Sequence, residues 1–251
     1  MKINFLIFFI SISLISCDKD IIAPVGKGNG PYENIILSDK EFSGLGTITD
    51  IEGNVYKTTV IGPKLWMAEN LNVSKFNNGD LIANVKDAGT WSNLNSPAWC
   101  NYANDDNIGK KVGKLYNWFT VIDARNVCPV NWTVASDEDW TFLTNVFGGD
   151  NVAGGALKEF GFNTWASPNS GATNKSLLNI KSNGFRNFES SPFTDSNLFS
   201  AYGSYGTFWT SSFFDQNKAW HRYLYWGNEA VNRNSSIKKN GFAIRCVKNI
   251  L

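Results

Sequence analysis

Histidine is almost missing from this chain. His221 is the single one in 251 residues, so a three-histidine metal site is excluded, and any Ser-His-Asp or Cys-His arrangement would need that residue. Cysteine is scarce too: there are four, none spaced as Cys-x-x-Cys, which leaves a zinc knuckle or thioredoxin-like site unsupported. Charge of one sign is also lacking. Lys and Arg number 23 against 22 Asp and Glu, and one of those lysines, Lys2, lies in a segment expected to be removed. A nucleic-acid binder carries a basic excess because phosphate contacts dominate its affinity, so nucleic acid is not an expected partner. Lys110-Lys111 and Lys238-Lys239 read as solvated loop charges. The chain also has no internal repeat of about 20–50 residues.

Aromatic residues are abundant. With 10 Trp, 18 Phe and 8 Tyr, and only 18% charged residues, the chain can bury a substantial core. Its start, "MKINFLIFFISISLISCDKD", reads as an export signal: Lys2, then an apolar run from Phe5 to Ile15, shorter than the about 20 residues a membrane-spanning helix needs. Leu14 to Cys17, "LISC", resembles the bacterial lipobox, in which cleavage before the cysteine leaves it as a lipid-bearing N-terminus. Cys17 is therefore the expected lipidation site, with residues 1–16 as signal peptide. Each buried acyl methylene adds about 0.8 kcal/mol of anchoring. The following "DKD" resembles a surface-export signal of Bacteroidetes-type lipoproteins. Residues 17–46 read as a tether. Removing Cys17 from the count leaves Cys100, Cys128 and Cys246, hence one disulfide and one thiol, or no disulfide.

From Thr47 the pattern becomes structural. "TITDIEGNVYKTTVIGPKLWMAENL" gives a β-hairpin turning at "EGN" and "GPK". Residues 72–112 are polar and read as one long loop anchored by Trp91, Trp99, Tyr102 and Ile108. In "GKLYNWFTVIDA", Leu115, Trp118, Phe119 and Ile122 fall at i, i+3, i+4 and i+7, which predicts an amphipathic helix. A second helix starts after Ser136, places Trp140, Leu143 and Phe147 on one face, and stops at Gly148-Gly149. "AGGALKE" suggests a short helical turn. The segments "GTFWTSSFF", "KAWHRYLYW", "EAVNR" and "GFAIRCVK" alternate as antiparallel strands, with Cys246 pointing inward. The fold class expected is α+β.

Five segments carry a family likeness: "DIEGNVYKTTVIGPKLWMAENL", "GKLYNWFTVIDA", "CPVNWTVASDEDW", "WTSSFFDQNKAWHRYLYW" and "GFAIRCVK". In this order they resemble the Fibrobacter succinogenes major paralogous domain, over about residues 47–249, so residues 47–251 are the expected domain. That domain is typical of secreted and lipid-anchored proteins and is similar to C-type-lectin-like folds, in the branch that includes formylglycine-generating enzymes and sulfatase-modifying factors. The resemblance implies two helices, antiparallel strands and long irregular loops. It also places cysteines at positions 128 and 246, which implies a Cys128–Cys246 disulfide with Cys100 unassigned. Where the family commonly reads CPSGWHLPSDAEW, this chain has Asn131, Thr133 and Ala135 for the glycine, histidine and second proline. A function of that family histidine would be missing. No motif matches the catalytic segment of the formylglycine-generating enzymes, so their activity is not carried over.

The titratable residues have plain structural readings. Alternation in "AWHRYLY" puts His221 on a solvated strand face. Asp137, Glu138 and Asp139 occupy the first turn of the second helix, where the helix dipole favours the charged form of an acid by about 0.3–1 kcal/mol each, the opposite of what a catalytic acid needs. "NYANDDNIG" offers Asp105 and Asp106 as calcium candidates, but without EF-hand spacing or the EPN and WND motifs of calcium-dependent lectins a solvated loop is expected, with no catalytic residue or cofactor assigned. The aromatic and amide residues near the end fit ligand binding best: Trp209, Asp215, Trp220, Tyr223, Trp226, Asn228 and Asn232. Aromatic faces stack on sugar C–H surfaces while amides bond hydroxyls. The expected function is an extracytoplasmic lipoprotein at the outer membrane or cell surface that binds glycan or envelope protein. An enzyme of sulfatase-modifying-factor or two-carboxylate glycosidase type, and a structural envelope subunit, are the alternatives.

Overall fold

The computed structural model describes residues 46–188 and 198–250. The expected signal peptide, Cys17 and the tether up to residue 45 lie outside the described residues. The predicted hairpin forms β1 (Gly46–Thr49), β2 (Val55–Ile61) and β3 (Lys64–Met67), all antiparallel. Asp50 builds its first turn, its carboxylate accepting from the amides of Glu52 at 2.9 Å and Asn54 at 3.0 Å.

The stretch 72–112 is not one loop. It folds into β4 (Ala83–Asn84), α1 (Ala88–Ser92), β5 (Ala98–Cys100), a 3-10 turn at Tyr102–Asn104 and α2 (Asp106–Val112). Trp91, Ala98 and Cys100 form a small core beneath it with Leu115. The helix expected over "GKLYNWFTVIDA" is also corrected. Leu115–Tyr116 is strand β6, paired antiparallel with β5, and only Trp118–Val121 is helical, as α3. The side-chain oxygen of Asn117 accepts from the amides of Thr120 at 3.2 Å and Ala98 at 3.1 Å, so it caps a new helix and ties it to β5. Ile122 is consequently 52% exposed. Pairing across the sheet outweighs the helical periodicity.

β7 (Thr133–Val134) leads into α4 (Asp137–Val146), which starts and stops where its sequence signals lie. Ser136 and Asp139 form a reciprocal capping box, and the Gly149 amide, at φ +96, bonds back to Thr144 O at 2.8 Å. Trp140 is buried edge-on to Trp66 at 5.5 Å. α5 (Ala153–Leu157) is the short turn of "AGGALKE". The chain then forms β8 (Asn183–Arg186), β9 (Phe199–Tyr202), β10 (Tyr205–Phe213), β11 (Lys218–Tyr225), β12 (Val231–Ile237) and β13 (Cys246–Asn249).

Among the described residues three sheets result, ordered β1-β2-β3-β13-β7, β12-β11-β10-β8-β9 and β4-β5-β6. Pairing is antiparallel except at β4–β5 and β8–β10. The protein is thus mostly β with few short helices, within the expected α+β class. Gly241–Arg245 joins the sheets: Trp209 N bonds Ala243 O, Leu71 N bonds Ile244 O and Ala135 N bonds Arg245 O, each at 3.0 Å. Its side chains alternate between two cores. Phe242, Ile244 and Cys246 enter one with Tyr116 and Trp209; Ala243 and Val247 enter the other with Trp66 and Trp140. Cys128 and Cys246 are disulfide-bonded across a sequence separation of 118, tying the segment before α4 to the last strand. Cys100 is a buried free thiol whose pKa burial raises to about 11.

Backbone carbonyls at strand ends and in irregular segments are satisfied by buried cations. Arg186 donates to Val85 O at 2.7 Å, Lys86 O at 3.1 Å and Asp87 O at 3.2 Å while stacking 4.2 Å from the Trp91 ring. Arg245 binds Met67 O and Leu178 O, and Lys158 binds Ser170 O and Asn228 O, both at 2.8 Å. These three side chains tie irregular segments to the sheets.

Candidate functional site

Antiparallel pairing of β10, β11 and β12 sets residues in cross-strand rows: Tyr205 with Tyr225, Thr207 with Tyr223 and Asn232, and Trp209 with His221 and Asn234. Because strand side chains alternate, these rows share one face. Their rings touch in sequence. Tyr205 lies 4.9 Å from Tyr225 and 5.7 Å from Tyr223, and Tyr223 lies 5.9 Å from His221. His221 in turn meets Phe242 at 4.9 Å, and Tyr225 meets Trp226 at 5.3 Å.

Burial is graded along this run. Trp209 and Phe242 are core residues, while Tyr205, Tyr223, Tyr225, Trp226 and Asn232 are half-buried and Asn234 is exposed. The outer end is therefore a shelf of three tyrosines edged by asparagines. No residue of the three rows carries a charge at neutral pH. His221 is 6% exposed, and burial lowers its pKa from 6.5 to about 4, which keeps the imidazole neutral. The expected solvated histidine is thus overturned: the face it shares is packed at its inner end. His221 Nδ1 and Thr207 Oγ1 have no hydrogen-bond partner among the described residues. Desolvation raises the Tyr205 hydroxyl pKa, with Tyr225 and Tyr223 adding to it.

The opposite face is locked. Asp137 accepts from Arg222 Nε at 2.8 Å and Arg233 Nε at 2.7 Å, and Arg222 also donates to Thr141 Oγ1 at 2.7 Å. The Arg233 guanidinium sits 3.3 Å from the Trp220 ring, so that ring face is already occupied.

The seven residues expected to bind ligand are therefore dispersed. Tyr223 and Asn232 are paired on the shelf, and Trp226 borders it. Trp209 is fully buried, its indole N–H donating to Tyr116 O at 2.9 Å, so it supports the shelf from below. Trp220 is on the other face. Asp215 closes the β10–β11 turn by accepting from the amides of Asn217 at 2.7 Å and Lys218 at 2.8 Å. Asn228 does the same at the next turn, to Ala230 N at 3.0 Å. Tyr205, Thr207 and Asn234 were missed. A strand period of two, applied across the hairpin, finds them, although an irregularity between Trp209 and Phe213 breaks the register beyond.

The calcium candidates are structural. Asp105 caps α2, accepting from Asn107 N at 2.7 Å, and Asp106 accepts from Asn101 Nδ2 at 2.7 Å. Among the described residues no three or more His, Cys, Asp or Glu side chains gather as a metal site, and no helix is long and apolar enough to cross a membrane.

The fold and this face define a disulfide-closed, mixed-sheet domain that presents an uncharged aromatic surface. The chain matches the family described as the Fibrobacter succinogenes major domain over residues 60–248, and it belongs to that family. No curated protein and no solved structure matches it.

Proposed function

We propose that this protein is a lipid-anchored, extracytoplasmic binding module of C-type-lectin-like type that holds a neutral glycan on the Tyr205–Tyr223–Tyr225 shelf. The observation carrying this reading is the cluster of three half-buried tyrosine rings, 4.9–5.7 Å apart around Tyr205, edged by Asn232 and free of charge. Ring faces stack on sugar C–H groups, and phenol and amide groups bond hydroxyls without the desolvation penalty an ion would carry. The disulfide, the capped helix α4 and the antiparallel terminal strands support the lectin-like assignment. A carboxylate-based enzyme has less support, since Asp137 is bonded to two guanidiniums and Asp139 to its own helix cap.

A panel of neutral and acidic glycans presented to the full chain tests the reading. Neutral glycans should bind, and Tyr223→Ala should weaken binding at least about tenfold, the loss expected for one stacked ring. Binding restricted to acidic glycans, or unchanged by Tyr223→Ala, defeats it. For the anchor, Cys17→Ala should release the chain from the membrane fraction and remove the acyl mass; a variant still acylated refutes the anchoring site.

A further inference from the structure

A second surface lies away from the shelf. A cleft of about 200 Å³ runs between β2 and the end of α2, lined by Asn54, Tyr56, Glu69, Lys110, Lys111 and Lys181 among others. Three lysines line it with one carboxylate, Glu69, and Glu159 of the neighbouring loop also acts on Lys181. None of the three forms an ion pair among the described residues: Lys181 Nζ donates to Lys111 O at 2.8 Å, Lys111 Nζ donates to Asn163 O at 2.6 Å, and the Lys110 ammonium has no hydrogen-bond partner among those residues. The carbonyls at the C-terminal end of α2 would repel an anion. Three of them are already covered, Gly109 O by the Gly113 amide, Lys111 O by Lys181 and Val112 O by Asn70 Nδ2, each at 2.8 Å.

The bond from Lys111 to Asn163 joins this cleft to the loop "EFGFN", residues 159–163. Phe160 is 75% and Phe162 64% exposed, the former the most exposed large hydrophobic side chain among the described residues. The loop is braced from below. Asn169 Nδ2 donates to Glu159 O at 2.9 Å and Gly161 O at 2.8 Å, and Glu159 accepts from Thr164 N and Asn163 Nδ2, both at 3.1 Å. A held loop that keeps two phenyl rings in water gives up the burial energy both could gain, and such surfaces mark contacts with an apolar phase. Cations beside exposed aromatic rings suit one phase in particular, the interface of an anionic lipid layer.

We propose that this face docks on an anionic lipid surface, with Phe160 and Phe162 entering the interface and Lys110, Lys111 and Lys181 meeting headgroup phosphates. This docking is independent of the shelf and of the N-terminal anchor. It fixes how the domain sits on a membrane rather than whether it is attached to one.

The test is local for that reason. In the full chain with Cys17→Ser and Phe160→Cys, the thiol at 160 is labelled with an environment-sensitive fluorophore; Cys100 is buried, and Cys128 and Cys246 are bonded to each other. On vesicles of phosphatidylcholine with about one phosphatidylglycerol in three, emission should shift to the blue and be quenched by nitroxide-bearing acyl chains. Phosphatidylcholine alone should give a weaker response, and Lys110→Glu should raise the lipid concentration at half-response roughly fivefold or more. A label that stays water-like on anionic vesicles, or a response indifferent to both vesicle charge and Lys110→Glu, overturns the proposal.

Discussion

The imidazole of His221 and the phenol ring of Tyr223 lie 5.9 Å apart with 25° between their planes, on one face of β11. Between them the shelf changes from core to surface: His221 is packed against Phe242, and Tyr223 is half exposed beside Asn232. A rigid, neutral, buried ring thus backs the ring offered to a ligand.

Acid should weaken the fold through His221. Burial holds its pKa near 4 in the fold, against about 6.5 in the unfolded chain. Between those values the unfolded chain binds more protons, so the contribution is intact above about pH 6.5 and lost as pH falls toward 4, up to about 3 kcal/mol. Urea denaturation at several pH values should show that this part of the acid slope vanishes in His221→Gln. An unchanged slope would mean that carboxylates alone set it.

Asp137 and Asp139, two residues apart on the first turn of α4, should differ sharply in weight. Asp137→Asn leaves the fully buried Arg222 without its closest carboxylate and should cost about 3 kcal/mol or more. Asp139→Ala removes a capping-box partner and the pair with Lys64, about 1 kcal/mol. Equal losses in chemical denaturation would place the Arg222 pair outside the stabilising network.

Thiol chemistry should separate the cysteines. Cys100, fully buried with its pKa raised to about 11, should react with iodoacetamide only after unfolding. Removing the Cys128–Cys246 bond, which closes a separation of 118 residues, should cost about 4–5 kcal/mol. Rapid labelling of native Cys100 would contradict the packing of Trp91 and Leu115 around it.

Legibility in the sequence followed the range of the interactions. Helix α4 was readable because Ser136, the acids after it and the two glycines all act within a few residues. The Cys128–Cys246 pairing came through the family resemblance. The α3 region was misread because Asn117 answers to β5, far away in sequence, and the periodicity of Leu115, Trp118 and Ile122 carries no trace of that. His221 was misplaced for a related reason: alternation identifies a face, but Phe242 and Trp209 decide how deep it lies. Trp220 reads as a sugar platform in the sequence, yet Arg233 covers its ring, a contact between neighbouring strands that composition does not reveal. The carbonyls held by Arg186 and Lys158 are likewise invisible in the sequence, since Arg186 lies about 100 residues from its carbonyl partners and Lys158 reaches across to Asn228.

The two faces of β11 give the most direct test of the central claim, that the tyrosine face binds and the tryptophan face does not. Binding of a neutral glycan to the full chain is compared by calorimetry for Tyr205→Ala, Tyr223→Ala and Trp220→Ala. Each tyrosine variant should lose about tenfold or more in affinity with the disulfide intact, while Trp220→Ala keeps parental affinity. Loss of binding in Trp220→Ala with both tyrosine variants unaffected would place the site on the opposite face and contradict the account.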